Sequence, residues 1–283
     1  MSIQMNAQAH TRGRLGSLRR NREAILEVAK MTVRRAYMYR INVVMGIVLT
    51  GITIYLLTIL WKAAYGNRTE VDGVSIQQML VYLTIANLQL RFLTPEVDQE
   101  IEERIREGQI GFDLNRPLPY PFQLVAGALG QMIGLLPMLV VALPIAFIFG
   151  ELQPPATIEA GIAYLASLAI AWIVAVELNM IIGLVGFWTL EMTGFKMMYR
   201  LIGNFATGAL IPLWFMPDVF RTIVQVLPFQ AIAYIPVSIY VGNPALGGIA
   251  GALLLQAGWA VALVFLIALI WSRAYRQTVI QGG

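Results

Sequence analysis

Cysteine is absent from the chain, and histidine occurs once, as His10 in a polar N-terminal stretch. Without cysteine there are no disulfides, no thiolate nucleophiles and no thiolate metal sites. A lone histidine outside every apolar run excludes a Ser-His-Asp site within a membrane and argues against a histidine-based metal centre. Charge is also scarce. Only 13% of residues are Asp, Glu, Lys or Arg, roughly half of what a soluble domain carries. Neutral polar groups have not replaced the missing charge, since 58% of residues belong to the AVILMFWYC set and mean hydropathy is +0.69. These shortages describe an integral membrane protein. No G-x-x-x-x-G-K-[ST] run occurs, so nucleotide phosphates cannot be cradled by that route. Residues 1–24 lack the h-region of roughly 7–15 apolar residues that a secretory signal needs, so the first span is expected both to target and to anchor the chain.

What is present is a series of apolar runs. Six are expected to span, over roughly 41–61, 75–93, 121–149, 158–188, 197–215 and 246–271. Each is at or near the ~20 helical residues that cross ~30 Å of hydrocarbon. The second is interrupted by Gln77, Gln78, Asn87, Gln89 and Arg91 and is expected to face protein on at least one side. Residues 1–40 hold nine basic residues, the loop 62–74 two, 94–120 three, 150–157 none, 189–200 two, 216–245 one, and the stretch after Trp271 two. This alternation places both termini and the 94–120 loop in the cytoplasm, for a multi-pass protein of the inner (cytoplasmic) membrane. The expected fold is an all-α membrane protein: a basic tail (1–21), an interfacial helix (22–39), a six-helix domain (40–275) and a short tail (276–283).

Within 22–39, Ile25, Ala29, Thr32, Val33 and Ala36 gather on one helical face and Glu23, Glu27, Lys30 and Arg34 on another. Such a helix lies flat at the headgroups; the alternative is that it runs straight into the first span. The third span holds Pro137 and Pro144, each inviting a kink. Gly130 and Gly134 at four-residue spacing allow close helix approach within one subunit. Residues 216–242 carry only Asp218 and Arg221 as charges and are chopped by prolines. Phe220, Ile223, Val224 and Leu227 fit a short amphipathic helix, and Leu227-Pro228-Phe229 turns the chain. A re-entrant hairpin in the outer leaflet, its loose backbone buried against protein, is the economical reading.

The densest acidic cluster lies between the second and third spans. Thr94-Pro95-Glu96 is a helix start with a capping hydroxyl, a proline at the first helical position and a carboxylate near the dipole. The helix is expected to run from Pro95 to about Glu107 and stop at Gly108, with Gly111 a second breaker. Ile101 and Ile105 form an apolar stripe among Glu100, Glu102, Glu103, Arg104, Arg106 and Glu107. The excursion is expected to end extended at Asn115-Arg116-Pro117-Leu118-Pro119. A narrow apolar stripe on such a helix suits docking in a groove on a soluble partner.

These features together resemble a permease of the ABC transporters, in the type-two export class and its subfamily of half-permeases with a separate ATPase. The resemblance rests on the amphipathic N-terminal helix, the order of six spans, Gly108-Gln109-Ile110-Gly111 with Leu114-Asn115-Arg116-Pro117-Leu118 after the second span, and the proline-broken hairpin before the sixth. It covers about residues 22–275. It implies a coupling helix at about 95–111 seated on the ATPase, with Ile101, Glu102, Ile105, Arg106, Gly108, Gly111 and Arg116 as its coupling residues. It also implies an external gate at Pro217–Tyr240, drawing on Phe220, Pro228 and Phe229. The implied partners are an ABC ATPase subunit that carries the ATP, a second permease (itself or a homologue) and the lipid bilayer. No cofactor, metal or catalytic residue is implied for this chain.

An ion- or proton-coupled secondary transporter is the rival reading, because Glu177 sits deep in a span. Three roles for that carboxylate stand: pathway or gate, hydrogen-bonding partner in the bundle, or proton relay. Internal repeats and discontinuous mid-membrane helices are not evident. A membrane enzyme built on Glu102, Glu103 and Asp113 lacks any nucleophile or metal cluster. Nucleic-acid binding is disfavoured, since the basic tail has no interleaved aromatic before Tyr37.

Overall fold

The structure, a computed structural model, describes residues 25–33, 40–189, 191–244 and 247–281. The expected basic tail, parts of the interfacial helix (22–24 and 34–39) and residues 282–283 lie outside the described residues. The helices in chain order are α1 (residues 25–33), α2 (Arg40–Tyr65), α3 (Ile76–Leu93), α4 (Val97–Arg106), α5 (Ile110–Leu114), α6 (Tyr120–Leu135), α7 (Leu139–Gly150), α8 (Ile158–Val185), α9 (Thr193–Ala206), α10 (Asp218–Gln225), α11 (Tyr234–Tyr240) and α12 (Ile249–Gln281). A two-residue hairpin joins β1 (Glu70–Val71) to β2 (Val74–Ser75), turning through Asp72 (φ 50°) and Gly73 (φ 78°). Asp-Gly with both φ positive is what a tight hairpin turn requires.

Four segments among the described residues are long and apolar enough to cross a membrane: Val44–Tyr65, Tyr120–Gly150, Ile158–Val185 and Ile249–Arg276. The chain is a multi-pass membrane protein. The other two expected spans take a different form. The second is α3, an 18-residue helix with both faces buried over Met79–Ala86. Its N-terminus is closed by a capping box in which the Ser75 hydroxyl accepts from the Gln78 N–H and the Gln78 side chain accepts from the Ser75 N–H. The fifth, expected over 197–215, is shorter and starts earlier. It is the 14-residue α9, stopped where Gly208 takes a left-handed φ of 79° and Pro212 follows.

The third expected span is broken at Pro137, where a 3-10 turn, Leu136–Met138, separates α6 from α7, whereas Pro144 lies inside α7 without ending it. Gly130 is where α1 crosses α6. A Cβ built there would lie 2.5 Å from the Ala29 carbonyl oxygen and 2.9 Å from Thr32 Cβ. The described part of the amphipathic helix therefore packs against the third span at the first glycine of the expected pair.

The main core lies between α3, α8, α11 and the turns around them. Its irregular backbone is satisfied by polar side chains of the straight helices. The Tyr82 hydroxyl donates to the Gly208 carbonyl (2.9 Å), the Asn87 amide to Ala209 (3.2 Å), the Gln89 amide to Ile232 and the Thr84 hydroxyl to Gly150. From α12, Gln256 donates to Ala231 (2.7 Å) and to the Ser167 carbonyl on α8 (3.0 Å). The proline-broken stretch expected to bury its loose backbone does so: α10, a 3-10 turn (Pro228–Ala231) and α11 follow one another, and residues 230–239 are buried throughout. Arg221 staples its entrance, donating to the carbonyls of Leu213, Trp214 and Met216 at 2.9–3.1 Å.

A branched side chain at Gly130 has no space. Gly130→Val should displace α1 from α6 at a cost of about 1–3 kcal/mol. The effect is measured as a lower thermal midpoint of the purified full-length chain and faster proteolysis within residues 25–33. An unchanged midpoint with unchanged proteolysis means that α1 does not rest there.

Candidate functional site

One end of the bundle is closed by α4, which lies across the last turns of α8. Val97 and Ile101 are fully buried. Gly183 of α8 makes the crossing possible, since a Cβ there would sit 2.6 Å from Ile101 Cδ1 and 3.0 Å from Asp98 Cα. Ile105 reaches Gly186 in the same way, at 3.4 Å. The apolar stripe expected to face a partner is thus consumed inside the chain. A ten-residue helix at the edge of an apolar bundle buries its stripe on the nearest groove, and two glycines of α8 supply one.

The acidic flank of α4 faces α9. Asp98, 2% exposed, has Arg200 at 3.5 Å and Lys196 at 3.9 Å, and Lys196 also pairs with Glu102. Glu102, read as a coupling residue, is therefore a tie between α4 and α9. The start of α4 also differs from expectation. The Thr94 hydroxyl donates back to Leu90 and closes α3, and the helix begins at Val97 with no side-chain cap. Gly108 does stop α4, at φ 68°. Gly111 is no breaker, because it lies within α5.

Beyond Gly108 the chain forms a compact tip. Asp113, buried, lies between Arg116 (3.2 Å) and Arg104 (3.5 Å), so one carboxylate joins α4, α5 and the proline run. The Gln123 amide of α6 donates to the carbonyls of Asp113 (2.8 Å) and Leu118 (2.7 Å). Asn115 through Leu118 therefore follow bends around Gln123, with only Pro119 extended. Arg106, Gly108, Gly111 and Arg116 are exposed on this tip. So is Phe112, with 77% of its surface free, while Ile110 is buried and Leu114 half-buried beneath it. Sequence reasoning missed Phe112. The signal was an aromatic held between Gly111 and Asp113 in a short polar excursion.

Behind α4 a cavity of about 460 Å³ opens between α2, α3, α8, α9 and the 3-10 turn at Pro228. Its walls are amphipathic. Polar side chains come from Thr50, Asn87, Arg91, Asn179 and Asn204, and apolar ones from Leu49, Leu90, Leu210 and Ile232; Glu96 and Asp98 stand at the α4 side. Of the three expected gate residues, only Phe229 reaches the cavity, resting on Tyr199 (ring centroids 5.7 Å apart) and over Gly203. Pro228 is buried beside it. Phe220 lies on the outer face of α10, half exposed, with its edge on Phe205. Glu177 is buried on α8 with Oε2 lacking a hydrogen-bond partner. It is not among the lining residues, whereas Asn179, two positions on, is.

A family model described as ABC-2 family transporter protein matches residues 47–282, most of the chain. No curated protein matches it.

The tie between α4 and α9 is testable by charge exchange. Lys196→Glu leaves Asp98 and Glu102 without their shared cation and should destabilise the chain by on the order of 3 kcal/mol. Adding Glu102→Lys in the same chain should recover about half of the loss or more in thermal midpoint. Equal midpoints for the single and double variants mean that the tie contributes nothing.

Proposed function

Because the chain belongs to the ABC-2 transporter family as its membrane-embedded transport subunit, we propose that it is the permease of an ATP-driven exporter, moved by a separate ATPase. The observation that carries this reading is the tip at α5. It is rigid, tied into four elements, and presents an exposed Phe112 away from the bundle. An exposed aromatic on a stiff mount suits a partner's hydrophobic cleft. The coupling contact therefore falls on Gly108–Pro117, with Arg106 and Arg116 beside Phe112. Ile101, Ile105 and Glu102 work on the inner side, holding α4 to α8 and α9.

The distribution of basic residues supports a cytoplasmic position for this tip and for both termini. When the ATPases close on ATP, they draw the tips together. α4 moves with the tip, because Asp113 and its two arginines leave no free joint. α9 follows through Lys196 and Arg200, and α9 is one wall of the cavity. The two-state change is an inward-open chamber giving way to an outward-open one. The cavity's mouth beside Glu96 and Asp98 supports the inward-open state for this structure. Exposed apolar residues on α2 (Leu49, Leu56, Leu60) and α9 (Met197, Leu201, Ile202) flank the chamber and suit a second permease there. The buried α11, with the exposed α10 before it stapled by Arg221, closes the opposite end.

Phe112→Asp tests the assignment in the complex with the ATPase reconstituted in liposomes. Loss of one aromatic anchor should weaken the complex about 30-fold, equivalent to about 2 kcal/mol, and abolish ATP-driven transport. The thermal midpoint of the permease alone should be unchanged, since the side chain touches little of its own chain. Retention of both the complex and transport overturns the docking assignment.

A further inference from the structure

Arg91 and Arg200 are the two basic residues inside the expected spans, and among the described residues nothing answers the charge of Arg91. It stands in the last turn of α3 and lines the cavity. Among the described residues it makes no hydrogen bond or ion pair, and its Nε is buried without a partner. The guanidinium lies flat on α2 at Gly46, where a Cβ would come within 2.4 Å of Nη2 and 2.5 Å of Cζ. An arginine that merely extends to the headgroups needs no slot of this kind. Here a glycine on the neighbouring helix makes room for the group to stay folded against the cavity wall.

The other cation of the cavity wall is already paired. Asp98 is held by Arg200 and by Lys196 just behind it, and Glu96 lies exposed at the mouth. Lys196 and Arg200 are thus taken up by Asp98 and Glu102, no ion pair joins Glu96 to Arg91 among the described residues, and the cation without a partner is the one on α3. An unpaired arginine within a span costs a few kcal/mol and persists where an anion completes it. Its planar fork of donors matches phosphate, sulfate or carboxylate. On either side of it, Leu49, Leu90 and Leu210 offer apolar surface, and the volume is in the range that holds a small molecule or the head of a larger one.

We propose that this cavity takes an amphiphilic anion, its charged head on Arg91 and its apolar part along Leu49, Leu90 and Leu210. The inference rests on reading the cavity as the substrate chamber and names the class of substrate.

The test needs no ATPase, which separates it from the exporter reading. The full-length chain in phosphatidylcholine nanodiscs is titrated with dodecyl phosphate, inorganic phosphate and dodecyltrimethylammonium, with occupancy read by native mass spectrometry. Dodecyl phosphate should bind at least about tenfold tighter than either of the other two, one charge-assisted contact being worth about a decade. Arg91→Gln should remove that preference and Arg91→Lys keep part of it. Arg91→Glu should turn the preference toward dodecyltrimethylammonium. Arg68→Gln, in the loop at the far end, should change nothing. If Arg91→Gln does not fold, Gly46→Ala, which evicts the guanidinium from its slot, must weaken dodecyl phosphate binding in its place. Equal binding of cation and anion, or wild-type affinity in Arg91→Gln, overturns the proposal. Inorganic phosphate matching dodecyl phosphate overturns its amphiphilic half. Intact Arg91-dependent binding in a chain that no ATPase can drive would sink the exporter reading and leave the site standing.

Discussion

In hydrocarbon a carbonyl that leaves a helix must find a donor from the protein, because no water is there to serve it. The structure depends on how α3 meets that demand. Tyr82, Thr84, Asn87 and Gln89 lie along eight residues of one helix, and their side chains answer carbonyls at Gly208, Gly150, Ala209 and Ile232. With Gln256 of α12 they let α9 stop early, let the 3-10 turn run through the core and hold the end of α7 against α3. An apolar α3 would have been a better membrane span and would have left each of these carbonyls bare, at a few kcal/mol apiece. Its polarity is the condition for the irregular half of the fold.

The other end is held by a different kind of force. There α4 is fixed by ion pairs with α9 and by side chains seated on glycines of α8. Neutral hydrogen bonds in a dry core are short and directional, and break only with loss of both partners' satisfaction. Ion pairs at a partly wetted edge tolerate displacement, because charge interactions fall slowly with distance and water can take up the slack. A bundle built this way has one end that keeps its geometry and one that can slide. The cavity lies toward the end held by ion pairs, and α9, one of its walls, carries the cations of those pairs.

What the sequence disclosed follows from the reach of each signal. Long apolar runs announced six spans, of which four are long and apolar enough among the described residues, and the polar residues of α3 announced a helix facing protein. Pro137 announced its own break. The end of α9 was hidden because Gly208 and Pro212 sit inside the apolar run Ala206–Met216, where hydropathy outweighs two breakers. Amphipathicity showed that Ile101 and Ile105 would be covered, and local sequence assigned the cover wrongly to a soluble partner. Gly183 and Gly186, some 80 residues away in the chain, are the cover, and nothing local to α4 points to them. Thr94 looked like a cap for the helix after it and instead closes the helix before it, since a hydroxyl can turn either way. Arg91 was visible as an interruption, but its isolation depends on Gly46 and on Lys196 and Arg200 having been drawn to Asp98. That isolation exists only once the chain is folded.

The 3-10 turn at Pro137 has a mechanical meaning. Below it, α6 is bolted to α5 through Gln123. Above it, α7 is bolted to α3 through Thr84 and to α2 through the Thr58 hydroxyl on the Phe149 carbonyl. Between the two there is a joint where a regular helix would have been a stiff shaft. A tilt applied at α5 is absorbed there and does not reach the far rim by that route. α8 crosses unbroken over 28 residues, touching α4 at one extremity and the buried α11 at the other. A torque applied at α4 would travel the full depth of the molecule along α8, while the third span, for all its length, would act as a bearing.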